Sequence, residues 1–206
     1  MSLGKALLVI QIGIACFCIS LSAASAQIVA LGASNTAGYG LSSSQSWPAQ
    51  LQAMLQAKGS ATKVINAGIS GDTSAGILSR IGSAVPEGTR IVILSVFAYN
   101  DNRKGISPAE HQANVAAIER QLRSRGIRII NANGLIQSAL KAGMVQGDGI
   151  HLTAEGVGEL RWAYSDPFVS AVTYHLSSEV ANECGKLTSA VGPTEKSSRL
   201  PPGSAV

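Results

Sequence analysis

Short apolar runs alternate with longer stretches of helical spacing along most of this chain. The first run, Ile28 to Leu31, has strand character, stops on Gly32 and leads into small and polar residues, Ala33-Ser34-Asn35-Thr36-Ala37-Gly38-Tyr39-Gly40. Leu51, Met54 and Leu55 then recur at helical spacing and predict a helix over 47–58, closed by Gly59. A second strand is expected over 62–67, and a second helix over 73–85 with Ile77, Leu78 and Ile81 on one face. The run 90–96 is the most apolar and fits the centre of a parallel sheet. Ser107-Pro108-Ala109-Glu110 is a capping box with proline at the first helical position. It opens a helix to about residue 125 that buries Val115, Ile118 and Leu122. Gly126 ends that helix, and 127–131 reads as a fourth strand. A helix over 135–142, a glycine-bearing loop over 147–151 and a helix capped by Thr153 toward residue 164 follow. Asp166-Pro167 interrupts the pattern, and another helix is expected over 168–181.

Strand and helix in strict alternation predict a doubly wound α/β fold with a parallel sheet, for which the flavodoxin-like order is one of two common solutions. Such sheets place their sites at the carboxyl edge of the strands. Ser34 falls there, just past the first strand, and is the candidate nucleophile.

The two ends have a different character. Lys5, an apolar stretch over 6–21 and Ala24-Ser25-Ala26 match an export signal cut before Gln27, so export to a bacterial periplasm or beyond is expected. Retention as a membrane anchor is the alternative, although Gln11 and the serines from Ser20 onward weaken a full span. The segment 184–206 is rich in Ser, Pro, Gly and Lys and reads as a disordered tail, which leaves 27–183 as one domain. Lys5 is the only charge in the signal, so the remainder carries one positive charge fewer than the chain's +4. That balance is mild and dispersed and does not suggest a nucleic-acid partner. Cys16 and Cys18 belong to the signal, leaving Cys184 alone, so no internal disulfide or cysteine-based metal site is expected.

A serine hydroxyl needs a base for its proton and donors for the oxyanion it creates. Of three histidines, His111 sits near the start of a helix and reads as solvent-facing, and His175 lies far from any strand end. His151 follows Asp148 by three residues in a loop, a spacing that lets the carboxylate hold the imidazole. Asn100, after the third strand, supplies an amide donor. Gly71, after the second, supplies a backbone N–H that no side chain obstructs. Each alone is also ordinary turn chemistry. Together they place a complete hydrolase set at one sheet edge.

Four blocks in this order, Gly-Ala-Ser-Asn (32–35), Asn-Ala-Gly-Ile-Ser-Gly-Asp-Thr (66–73), Ala-Tyr-Asn-Asp (98–101) and Asp-Gly-Ile-His-Leu-Thr (148–153), resemble the SGNH, or GDSL-type, esterases and lipases. Their bacterial lysophospholipase/thioesterase branch is the nearest in pattern, over residues 27 to about 162. The resemblance implies a three-layer αβα sandwich, with Ser34 as nucleophile, His151 as base and Asp148 as its partner. It also implies an oxyanion hole of Ser34 N–H, Gly71 N–H and the Asn100 side chain, no metal or other cofactor, and an ester or lipid as substrate.

Three departures from the family pattern stand out. Ala33 replaces the usual Asp before the serine. Ala98-Tyr99 replaces a glycine-bearing turn, so a positive φ at Ala98 would be strained and would displace Asn100. Tyr99 would also place a ring beside the substrate pocket. Four strands are clear where the family has five, the stretch 133–146 being short for a fifth. The rival readings are a non-catalytic binding protein on the same fold, motivated by Ala98-Tyr99, and a deacetylase of acetylated carbohydrate.

Overall fold

The computed structural model describes residues 27–163. The expected signal, the 168–181 helix, His175, Cys184 and the 184–206 tail lie outside the described residues. Within them, β1 (Gln27–Gly32), β2 (Lys63–Gly68), β3 (Thr89–Ser95) and β4 (Arg128–Asn131) form one parallel sheet in the order β2-β1-β3-β4. The chain starts inside the sheet, steps outward to β2, and crosses back past β1 to β3 and β4. This is the flavodoxin-like order over its four strands.

Alternation along β1 explains the layers. Ile28 and Ala30 face one side with Trp47, Leu51 and Leu55, and Val29 and Leu31 face the other with Ile77, Ile118 and Leu122. All four β1 residues are fully buried, as a strand covered on both faces requires. The helix Trp47–Ala57, after β1, packs on the first face, where Asn133–Lys141 and Ala154–Ala163 also contribute. The helix Pro108–Ser124, after β3, packs on the second. Since β1 and β3 are neighbours, their outgoing chains part to opposite faces and open a crevice at their carboxyl ends. Truncating a core side chain such as Leu51 to alanine costs about 2–5 kcal/mol in sites of this kind.

The expected 73–85 helix is broken at Arg80 into Ser74–Ser79 and Ile81–Ala84. Arg80 leaves helical geometry (φ −105, ψ 6), and its guanidinium reaches back to Asp72 and to the carbonyls of Ala67 and Gly32. The polar 38–45 loop contains one turn of 3₁₀ helix, Ser43–Gln45, closed by a capping box from Ser42. After β4 the chain turns directly into the helix Asn133–Lys141, and the sheet has four strands among the described residues. Asn133 bonds both the amide and the carbonyl of Val96, at 3.0 and 2.8 Å, tying this helix to the end of β3.

Candidate active site

Ser34 opens a single helical turn, Ser34–Ala37, stopped by Gly38 in the left-handed region. This turn crosses closely over the strand ends. A Cβ at Gly68 would strike the backbone of residues 36 and 37, and one at Gly32 would lie 2.6 Å from the Ser95 carbonyl oxygen. The glycines that end β1 and β2 are therefore what let Ser34 sit at the crevice. As the first residue of the turn, Ser34 keeps its amide N–H without a partner among the described residues, as the start of a helix dictates.

The late loop is a compact clamp. Val145 and Leu152 form an antiparallel bridge, and Gln146 N–H donates to the His151 carbonyl at 2.7 Å. Inside it, Asp148 Oδ1 accepts from the amides of Ile150 and His151 at 3.0 and 3.1 Å. Asp148 Oδ2 lies 2.5 Å from His151 Nδ1. The hydrogen bond from His151, followed by the Ile150 amide, lowers the Asp148 pKa from 3.8 to about 2. An ionised carboxylate can only accept, so Nδ1 carries the proton and Nε2 keeps the lone pair. The expected Asp148–His151 contact is thus present.

Asn35 fastens this loop to the serine turn. Its Nδ2 donates to the Ile150 carbonyl at 3.1 Å and its Oδ1 accepts from the Leu152 amide at 3.0 Å. Tyr39 lies against the His151 ring, with centroids 4.4 Å apart and an interplanar angle of 32°. Gln146 Nε2 donates to the Tyr39 and Leu152 carbonyls at 2.8 and 2.7 Å. Ser34 and His151 line one cleft, and the Ser34 hydroxyl has no hydrogen-bond partner among the described residues. Sequence reasoning missed the roles of Asn35, Tyr39 and Gln146. Asn35 alone carried a signal, as a polar residue inside the first block.

Gly71 has φ +79, a conformation that glycine adopts freely, and its N–H has no partner among the described residues. Asn100 Nδ2 donates to the Asp72 carbonyl at 2.8 Å, which fixes the amide beside the Gly71 turn and leaves its second N–H for another acceptor. Asp72 is held in turn by Arg80 at 2.7 Å.

Two expectations need correction. Ala98 does not have a positive φ. It opens the helix Ala98–Arg103, whose start asks for no left-handed residue. His111 is not solvent-facing: its side chain is 17% exposed and its Nδ1 lies 2.7 Å from Oδ2 of the buried Asp101. The reason is tertiary, since the Ala98–Arg103 turn brings Asp101 against the first turn of Pro108–Ser124.

The groups converge on a cleft of about 330 Å³. Ser34, Gly71, Asn100 and His151 line it, with Asp148 behind the histidine. Tyr99 also lines it, 45% exposed at the surface. Phe97, Leu140 and Ile150 give much of the wall an apolar character.

An α/β crevice holding a serine, an Asp-paired histidine and unpartnered amide donors defines a hydrolase-like site. The chain belongs to the GDSL-like lipase/acylhydrolase family, whose model matches residues 30–173. The esterase TesA of Pseudomonas aeruginosa is 36% identical over 108 residues, 52% of this chain and 54% of that protein. The thioesterase 1/protease 1/lysophospholipase L1 of Escherichia coli K12 is 35% identical over 97 residues, 47% of this chain and 45% of that protein. The chain thus spans about half the length of these relatives. A crystal structure of TesA matches with a TM-score of 0.61 at 27% identity, covering 71% of this chain and 99% of that one. The fold is the three-layer αβα sandwich of SGNH hydrolases.

Proposed function

We propose that this protein is an exported serine esterase that cleaves carboxylic ester or thioester bonds through an acyl-enzyme. The observation that carries the reading is the Asp148–His151 bond, in a loop that Asn35 ties to the turn bearing Ser34. Nδ1 is committed to Asp148, so Nε2 is the basic nitrogen that takes the Ser34 proton as Oγ attacks the carbonyl carbon. The oxyanion is met by the free N–H groups of Ser34 and Gly71 and by Asn100 Nδ2. The imidazolium returns its proton to the leaving alcohol or thiol, and the acyl group stays on Ser34. Water, deprotonated by His151, attacks the acyl carbon. A second oxyanion uses the same donors, and the acid departs as Oγ recovers its proton.

The names of the relatives, an esterase and a thioesterase/lysophospholipase, support the ester and thioester classes. The rival non-catalytic reading is motivated by Ala98-Tyr99; the absence of a positive φ at Ala98 supports the catalytic reading, while Tyr99 stands on the cleft wall as expected. Export rests on the pattern of the first 26 residues. Labelling by a fluorophosphonate, and turnover of p-nitrophenyl acyl esters from C2 to C12, test the reading. Wild type reacts in both assays and Ser34→Ala in neither. A wild type inert in both, or a Ser34→Ala variant that retains turnover, overturns it.

A further inference from the structure

We propose that the cleft selects esters carrying an anionic group, carboxylate or phosphate, and that Arg103 is the residue that selects them; this rests on the esterase reading above. Arg103 ends the helix Ala98–Arg103 and lines the cleft, with its guanidinium carbon 5.8 Å from the centroid of the Tyr99 ring. A guanidinium over a ring is oriented by the quadrupole yet keeps its N–H fork at the edge, available to an oxyacid.

The charge balance of the cleft points the same way. Among the described lining residues Arg103 is the sole fixed charge. The nearby carboxylates are committed elsewhere: Asp72 to Arg80, Asp101 to Ser74 and His111, and Asp148 to His151. Arg103 forms no ion pair among the described residues. Phe97, Leu140 and Ile150 offer nothing to a second charge, but suit a short hydrocarbon between the ester and an acidic end. A neutral ester would use the same walls and leave the cation to water. An anionic one adds a charge-assisted, bidentate contact, which is a difference in binding and hence a specificity. Carboxylate and phosphate share this chemistry, so the test carries an arm for each.

Three p-nitrophenyl esters of equal chain length separate the possibilities: the pentanoate, the glutarate half-ester and the 4-phosphonobutanoate. They are compared on wild type, Arg103→Gln and Arg103→Lys. The expected result is a KM for one or both anionic esters that rises about three- to tenfold in Arg103→Gln, with kcat unchanged. The pentanoate should stay within about twofold, a surface-substitution effect. Arg103→Lys should keep only part of the preference, since it retains the charge but not the fork, and about 0.5 M NaCl should weaken it. A glutamine variant that shifts all three esters alike, or none, overturns the proposal. If wild type turns over none of them, the esterase reading fails separately. Calorimetric binding of N-phenylglutaramic acid against neutral N-phenylpentanamide then decides the selection. Anion-preferring binding lost in Arg103→Gln sustains it, and equal binding of the two overturns it.

Discussion

Asp101 Oδ2 and His111 Nδ1 lie 2.7 Å apart, and the same buried carboxylate accepts from the Ser74 amide at 2.8 Å and the Ser74 hydroxyl at 2.5 Å. Asn114 completes the cluster with a 3.0 Å bond to the Ser74 hydroxyl. Asp101 follows Asn100 in one helix, and Ser74 begins the helix just after Gly71-Asp72-Thr73. One carboxylate thus ties together the two segments that carry the oxyanion donors. Burial works to raise its pKa, but the Ser74 and His111 hydrogen bonds outweigh that and the net shift is downward. Asp101→Asn keeps the size but turns an N–H₂ toward groups that also donate. We expect a loss of about 1–3 kcal/mol in denaturant unfolding. We also expect kcat to fall about tenfold or more with KM nearly unchanged, the signature of a misplaced transition-state donor. A depressed carboxyl pKa stabilises above its unfolded value and stops doing so as pH falls through the folded one. The stability gap between wild type and variant should therefore close below about pH 4. A gap that stays constant down that acid limb would sink the assignment.

Asn35 is tested differently, since it bonds the backbone of the histidine loop and reacts with nothing. Asn35→Ala deletes the bonds to the Ile150 carbonyl and the Leu152 amide. Two part-buried hydrogen bonds contribute about 1 kcal/mol each, so the protein should remain folded with a modestly lower Tm. The histidine would lose its register on Ser34, and kcat should fall by about tenfold to a hundredfold, since small displacements of catalytic groups cost about that much. Unchanged ester turnover in a variant whose Tm has dropped would show that the clamp serves stability alone.

The fold was legible because its signals are local. The Ile28–Leu31 run, the capping box at Ser107 and the glycines at 59 and 126 that end two of the helices act within a few residues. The Asp148–His151 contact was legible for the same reason, both partners lying in one short loop. Groups that act across the sequence left no such trace. Asn35 reaches residues 150 and 152, and Arg80 reaches back to Gly32. His111 showed a surface helical pattern because its partner, Asp101, belongs to a different helix. Ala98 misled for a related reason. The family's glycine suggests a left-handed turn, whereas this chain begins a helix at that position.

Asn100→Ala and Gly71→Ala probe the oxyanion donors from two directions. Removing the Asn100 amide deletes one donor and frees the Asp72 carbonyl, so kcat should fall on the order of 10²–10³ with the fold retained. At Gly71 an added methyl meets open space, so sterics are not the issue. The cost is the positive φ, about 1 kcal/mol for alanine. The turn is expected to relieve that strain by rotating its amide, and turnover should fall more than the stability loss alone explains. Crystallography of the alanine variant reads the amide orientation directly. An unrotated turn with full activity would remove Gly71 from the hole.

Asp148 makes the sharpest pH statement. Its pKa is lowered from 3.8 to about 2, chiefly by the His151 hydrogen bond and then by the Ile150 amide. It therefore remains a carboxylate wherever the imidazole is neutral, and the acid limb of the kcat profile should show one ionisation, that of the base. A depressed carboxyl stabilises the loop above its unfolded pKa and loses that effect as pH falls through the folded one. Order in residues 146–152 should thus persist through pH 3.8 and give way near 2. The Nδ1 proton of His151, visible as a downfield NMR resonance, is the reporter. It should survive acidification to that range in wild type and lose its downfield position in Asp148→Asn, where no carboxylate faces it. The same variant should lose on the order of 10²–10⁴ in kcat, because an amide neither fixes the tautomer nor stabilises the imidazolium as a carboxylate does. If the resonance instead vanished near pH 4 in wild type, the carboxylate would be an ordinary solvated one and the pair would not be the ring's anchor.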